Sequence, residues 1–247
     1  MKLVLAEPKY LKDSIAIISE LVNEARFTVS KEGLTLTAMD PANVAMVNFK
    51  LLASSFSEYD PRDTHAIAIN LQNLKQILRR TGSGDTLVLE TVENKLKVII
   101  RGASTRTFQL PLIELEDREQ RVPNLTFNAT ITTDALQLAS AIDDADIVAE
   151  SLAFIAEDKA LTIAAEGDLS RALIEIVADN HTKIVVKDGS KIRARYSIEY
   201  LKKMIQAAKL TEKVMIQFSK DYPLKLEFKV IDKLSLDFIL APRVENE

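Results

Sequence analysis

The chain matches itself at an offset of 127 residues, and the register is kept across the repeat. Leu11 falls on Leu138, Ile15 on Ile142, Leu34-Thr35-Leu36 on Leu161-Thr162-Ile163, Ala45 on Ala172, and Leu74-Lys75 on Leu201-Lys202. Such agreement means one fold unit used twice in tandem, and the fold must be built from two similar modules. Half of 247 residues is close to the commonest domain size, so each copy is large enough for its own core.

Periodicity outlines the module. Leu11, Ile15, Ile18 and Val22 recur at three- and four-residue steps, predicting an amphipathic helix over 8–23 opened by Pro8. The period then falls to two: Phe27 and Val29, then Leu34 and Leu36 beyond Lys31-Glu32-Gly33, read as a hairpin. Strands over 44–51 and 65–70, a second helix marked by Leu71, Leu74 and Leu78, and strands over 85–91, 95–101 and 104–111 complete the copy. The second copy repeats this order, with helices over 133–146 and 198–209 and strands from 127 to 240. Two helices and eight or nine strands with short connections predict an α+β module of antiparallel sheets with both helices on one face. The expected division is a first module over 1–112, an acidic connector over 113–125 with Pro123 near its end, and a second module over 126–247.

Composition narrows the function. No apolar run is long enough to cross a bilayer, and Met1 is followed by strand-like alternation rather than by a secretory leader, so an intracellular protein without membrane contact is expected. The chain has no cysteine, which removes disulfides and thiolate metal sites. A net charge of −4 gives no global attraction to nucleic acid, so any such binding must come from how charge is distributed. The only histidines, His65 and His181, are not repeat equivalents and lack a nucleophile motif, and Gly82-Ser83-Gly84 lacks the Lys-Ser/Thr of a phosphate-binding loop. Asp143, Asp144 and Asp146 are dense enough to hold Mg²⁺, but they sit at a helix end and have no counterpart in the first copy, which favours a solvated acidic patch. No catalytic constellation and no cofactor site emerge. Charge on the second helix of each copy does stand out: Lys75, Arg79 and Arg80 with no acid between 71 and 80, and Lys202, Lys203 and Lys209 against Glu199. Cations on equivalent helices suit a shared phosphate-binding face.

Several segments are more specific. Leu21-Val22-Asn23-Glu24-Ala25, Met39-Asp40-Pro41-Ala42-Asn43-Val44-Ala45-Met46, Arg106-Thr107-Phe108-Gln109-Leu110-Pro111-Leu112-Ile113, Tyr222-Pro223-Leu224 and Leu240-Ala241-Pro242-Arg243-Val244-Glu245 together resemble the sliding clamps of archaeal and eukaryotic replication, the proliferating cell nuclear antigen family. The resemblance covers essentially the whole chain. It implies a non-enzymatic processivity factor for DNA polymerase: a trimeric ring of six modules with helices lining the hole and strands outside, encircling duplex DNA without regard to sequence. It also implies tethering of DNA polymerase, clamp loader, flap endonuclease and DNA ligase by tails resembling Gln-x-x-Leu/Ile/Met-x-x-Phe-Phe. The ring is either a homotrimer or an assembly with paralogous clamp subunits, placed in the cytoplasm or nucleoid of an archaeon or the nucleus of a eukaryote.

Carried over by position, the tail pocket falls on Met39, Asn43, Val44, Met46, Val122, Pro123, Pro223, Ile239, Ala241 and Pro242. The subunit joint falls on Thr105, Thr107, Phe108 and Leu110 of one chain and Ala172, Ile174 and Ile176 of the next. The inner wall would carry Lys12, Lys75, Arg79, Arg80, Lys202, Lys203 and Lys209. Helix 133–146 departs from the family, since it holds Asp134, Asp143, Asp144 and Asp146 and no cation. A clamp relative serving as a checkpoint or repair scaffold, and a metal-dependent phosphodiester enzyme built on the three aspartates, are the competing readings.

Overall fold

The computed structural model describes residues 1–61, 63–115 and 120–244, with the side chain of Asp188 excepted. Glu116, Asp117, Arg118 and Glu119 of the expected connector, and Glu245 of the C-terminal segment, lie outside the described residues.

The first copy runs β1 (Lys2–Leu5), α1 (Lys9–Ile18), β2 (Glu24–Ser30), β3 (Gly33–Met39), β4 (Ala45–Leu52), β5 (Glu58–Asp60), β6 (His65–Asn70), α2 (Leu71–Leu78), β7 (Thr86–Val92), β8 (Lys95–Arg101) and β9 (Thr105–Pro111). The second runs β10 (Ala129–Asp134), α3 (Ala135–Asp146), β11 (Ser151–Glu157), β12 (Ala160–Glu166), β13 (Arg171–Val177), β14 (Lys183–Val186), β15 (Ile192–Ser197), α4 (Ile198–Met204), β16 (Lys213–Phe218), β17 (Leu224–Val230) and β18 (Leu234–Leu240). The offset of 127 carries β2, β3 and β6 onto β11, β12 and β15 residue for residue. At β8 and β9 the offset becomes 129, because five residues join β16 to β17 where two join β7 to β8.

Two helices depart from the sequence expectation. α1 ends at Ile18 rather than near residue 23, because Glu20 and Leu21 donate to Ile17 and Ile18, three residues back, and the last turn tightens before β2. The helix expected over 198–209 is α4 followed by a 3-10 turn over Ile205–Lys209. There the buried residues Met204, Ala207 and Leu210 recur every third position, the period of the tighter helix. The other starts follow local chemistry. Asn70 caps α2 by accepting from the Asn73 amide at 3.0 Å, and Asp134 caps α3 by accepting from the Leu136 and Gln137 amides.

The chain divides into two compact units: Met1–Pro41 with Val47–Val122 and Val230–Leu236, and Ala42–Met46 with Pro123–Lys229 and Asp237–Glu247. In the first unit β5-β1-β7-β8-β9 form an antiparallel sheet and β2 lies between β3 and β6. In the second, β13-β12-β11-β15 form a sheet and β10 lies between β14 and β16, with β17 beyond β16. Each core is closed by aromatic contacts. Phe27 meets Phe49 edge to face with centroids 6.4 Å apart, and Phe154 packs on Tyr196 and Phe218 at 5.8 and 5.9 Å.

In the β2–β3 hairpin Gly33 adopts φ +145°, and a Cβ built on it would lie 2.2 Å from the Leu51 carbonyl oxygen. Backbone rather than a flexible side chain blocks that space, so Gly33→Ala must displace β4. The variant is expected to lose about 1–3 kcal/mol of stability, read as a lower denaturant midpoint at unchanged slope.

Candidate partner and nucleic-acid surfaces

The helical cations are partly neutralised. Lys75 pairs with Glu20 at 2.5 Å, Lys202 with Asp146 at 2.5 Å, and Lys203 with Glu199 at 2.9 Å. The basic faces read on the second helix of each copy therefore hold paired rather than free charge at these three positions. Glu20, just beyond α1, and Asp146, the last residue of α3, are 55 and 56 residues away in sequence, where a search along one helix does not see them. Lys12 is also engaged, donating to the Thr81 carbonyl at 2.8 Å. Arg79, Arg80 and Lys209 stay exposed, but Arg79 caps α2 and Arg80 lies beyond it, so neither belongs to the helix's polar face.

On α3 the place of cations is taken by Leu136 and Ile147, 67% and 83% exposed, beside Asp143 and Asp144. Asp146 is committed to Lys202, and among the described residues no three His, Cys, Asp or Glu side chains group as a metal site. The glycine turn is structural: the Gly82 amide donates to Asp85, and this bond, with Arg106 alongside, holds the Asp85 carboxyl below its usual range. His65 meets the Asp63 carbonyl at 2.8 Å, and His181 is exposed in a turn closed by Asp179.

β9 and β13 each end a sheet, which leaves one side of each backbone unpaired by its own sheet. Their repeat equivalents are β18 and β4, and those two strands do have each other. Leu52 donates to the Lys233 carbonyl inside the first unit, and Ala241 to the Val44 carbonyl inside the second. Along β9, Thr105 and Thr107 are exposed and Phe108 and Leu110 half-buried. Along β13 the residues carried over from the family resemblance lie on the more buried face. Ala172 and Ile174 are half-buried and Ile176 is core, whereas the outward side chains are Leu173 and Val177, 57% and 54% exposed. The two-residue period of the strand separates the two sets.

The residues assigned to a tail pocket differ in access. In the second unit Asn43 and Pro123 are exposed and Val44, Pro223, Ala241 and Pro242 half-buried, with the 44 and 241 segments joined by the bond just described. Met46 and Ile239 are buried at 6% and 9% exposure, so they back this surface rather than line it. In the first unit Met39 is half-buried and Val122 is 44% exposed. The start of the expected connector is anchored: Ile113 donates to Ala68, and Leu115 accepts from Arg26.

Residues 1–119 match the model of the proliferating cell nuclear antigen N-terminal domain, and residues 121–243 that of its C-terminal domain. The chain belongs to the proliferating cell nuclear antigen family. Proteins named DNA polymerase sliding clamp from Nanoarchaeum equitans and Thermococcus gammatolerans are 35% and 36% identical to it, covering 98% and 96% of this chain and 99% and 96% of their own. Among solved structures, PCNA from Thermococcus kodakaraensis matches with a TM-score of 0.91 at 31% identity, over 98% of this chain and 99% of that one. The PCNA2-PCNA3 complex from Sulfolobus tokodaii matches at 0.89 and 26%, over 99% and 100%. The PCNA family assignment thus covers both copies of the repeat.

One ion network lies on the strands of the second unit. Glu227, 9% exposed, accepts from Lys225 at 2.8 Å and Lys229 at 2.6 Å. Burial pushes its pKa up, but the two lysines outweigh burial and hold it below the ordinary carboxylate value of 4.5. A carboxyl with a lowered folded pKa stabilises the fold above its unfolded pKa, and that contribution is lost as pH falls through the folded value. Wild type should therefore lose stability below pH about 4.5 more steeply than Glu227→Gln, as measured by denaturant midpoints from pH 7 to pH 3.

Proposed function

We propose that this PCNA-family chain is a DNA polymerase processivity factor that closes into a ring around duplex DNA and holds partner enzymes by their tails. The observation that carries this reading is the pair of open strands. β4 and β18 are repeat equivalents of β13 and β9, and the chain satisfies the first pair internally while leaving the outer side of each strand of the second pair unpaired by its own sheet. Long unpaired edges invite association, and a head-to-tail joint of β9 on β13 of the next copy satisfies both. The joint repeats a pairing that the chain already makes. Three copies give the six modules of the family's ring; the complex of two different PCNA chains from Sulfolobus tokodaii supports a paralogous assembly as the alternative.

The family is one of non-catalytic processivity factors, and the commitment of Asp146 to Lys202 speaks against a phosphodiester active site on α3. Inside the ring, Arg79, Arg80 and Lys209 are the accessible cations, with Lys12, Lys75, Lys202 and Lys203 as a damped second set. Such a wall contacts phosphates weakly and reads no bases, which suits sliding. In the second unit the surface of Asn43, Val44, Pro123, Pro223, Ala241 and Pro242 is the receptor for the apolar anchors of partner tails. Polymerase, clamp loader, flap endonuclease and ligase are the enzymes so tethered.

Replacing the exposed Leu173 and Val177 with Lys leaves the chain's own core intact while placing charge in the joint. The wild type should sediment as a trimer and the double variant as a folded monomer with unchanged circular dichroism. A wild type that is monomeric at micromolar concentration, with no paralogue added, would overturn the homotrimer.

The nucleic-acid surface has its own readout. Arg79→Ala with Arg80→Ala should reduce the slope of log affinity for duplex DNA against log salt by roughly 0.9 for each phosphate contact removed, with trimer and tail affinity unchanged. Fluorescence anisotropy across a salt series measures it; an unchanged slope would remove these residues from the wall.

A further inference from the structure

A cleft of about 280 Å³ in the second unit is lined by Arg193, Arg195, Lys220 and Arg243, with Asp221 as its one acid and Ala194 and Val244 completing it. Three segments converge there. Arg243 donates its amide to the Arg195 carbonyl at 2.7 Å, and Asp221 donates to the Arg193 carbonyl at 3.4 Å. They bring the turn after β16 and the segment after β18 against β15, the end strand of its sheet. Arg193, Lys220 and Arg243 are exposed.

The repeat shows that the fold does not require this charge. Arg193 and Arg195 correspond to Ala66 and Ala68 in the first copy, and Lys220 to Glu93. The backbone arrangement is kept without the cations, since Ile113 donates to the Ala68 carbonyl at 2.9 Å where Arg243 donates to Arg195. In a chain of net charge −4, three cations where the other copy has two alanines and a glutamate, gathered with Arg243 where it has Ile113, suit an anionic ligand.

We propose that this cleft binds acidic side chains of a partner tail, next to the tail's apolar anchors; this rests on the receptor surface proposed above. The cleft is continuous with that surface through the chain itself. Ala241 and Pro242 precede Arg243, and Pro223 follows Lys220-Asp221-Tyr222. Its volume accommodates one or two carboxylate side chains and not the width of a duplex. Guanidinium groups suit carboxylates, which they bind through paired, charge-assisted hydrogen bonds. Partners with acidic residues flanking the apolar motif would then be preferred over otherwise equal competitors.

The test uses peptides with one Gln-x-x-Leu-x-x-Phe-Phe motif and either three Glu or three Ser on a flank, each flank in turn. Titration calorimetry is run against the full-length protein and its Arg193→Gln, Arg243→Gln double variant. The acidic peptide of one orientation should bind about tenfold more tightly than its serine twin in low salt, and this advantage should vanish in the double variant and in high salt. Affinity for the serine peptides should not change. Equal affinity of acidic and serine peptides for wild type overturns the proposal and leaves the receptor standing. Failure of every peptide to bind overturns the receptor and the proposal with it. If the double variant loses duplex DNA affinity without altering peptide preference, the cleft serves phosphates and the proposal fails. If an acidic advantage appears only after removal of Glu245-Asn246-Glu247, the cleft belongs to the chain's own end, and the proposal fails again.

Discussion

A strand at the end of a sheet presents a row of amide and carbonyl groups that something must satisfy, and the organisation of this chain follows from how it meets that demand. Two pairs of repeat-equivalent strands meet it differently. One from each copy, β4 and β18, is satisfied inside the chain, while β13 and β9 are left over. In the proposed head-to-tail joint, the leftover strands repeat a pairing on which the fold already depends. Exposed apolar side chains at Leu173 and Val177 belong to the same logic, since a folded monomer gains nothing from leaving them in water.

The electrostatics show the opposite of conservation between copies. α2 ends in accessible arginines, whereas α3 shows water Leu136, Ile147 and aspartates. Where cations sit on helices they are mostly drawn into pairs with Glu20, Asp146 and Glu199, exposed interactions that contribute little to stability but reduce the field available to a phosphate. Glu227 differs because it is buried; there two lysines of its own strand offset desolvation.

The fold was open to reading from sequence because its signals are periodic. The repeat offset, the alternation through Phe27, Val29, Leu34 and Leu36, and the stripe Leu71, Leu74, Leu78 are each set by a face that must be buried, and the elements lie within a few residues of expectation. Missed features depend on partners distant in sequence. The end of α1 is set by hydrogen bonds three residues back, and the damping of Lys75 and Lys202 by acids more than fifty residues away in sequence. Arg193, Arg195, Lys220 and Arg243 were missed as a group for the same reason, since three segments supply them. A signal was nevertheless available. Comparing the two copies position by position exposes cations where the other copy has alanine or glutamate, and differences between copies mark what folding alone does not demand.

The longer turn after β16 bears on counting. Duplication by itself would have produced two equivalent turns, two equivalent ends of β15-like strands and two places for a tail. With five residues in one copy and two in the other, only the second copy projects Lys220 and Asp221 beside its end strand, while the corresponding edge in the first copy receives the chain on its way to the next module. On the proposed tail receptor, valency follows the number of polypeptides and not the number of modules. In that assembly a partner with two tails must reach across two subunits.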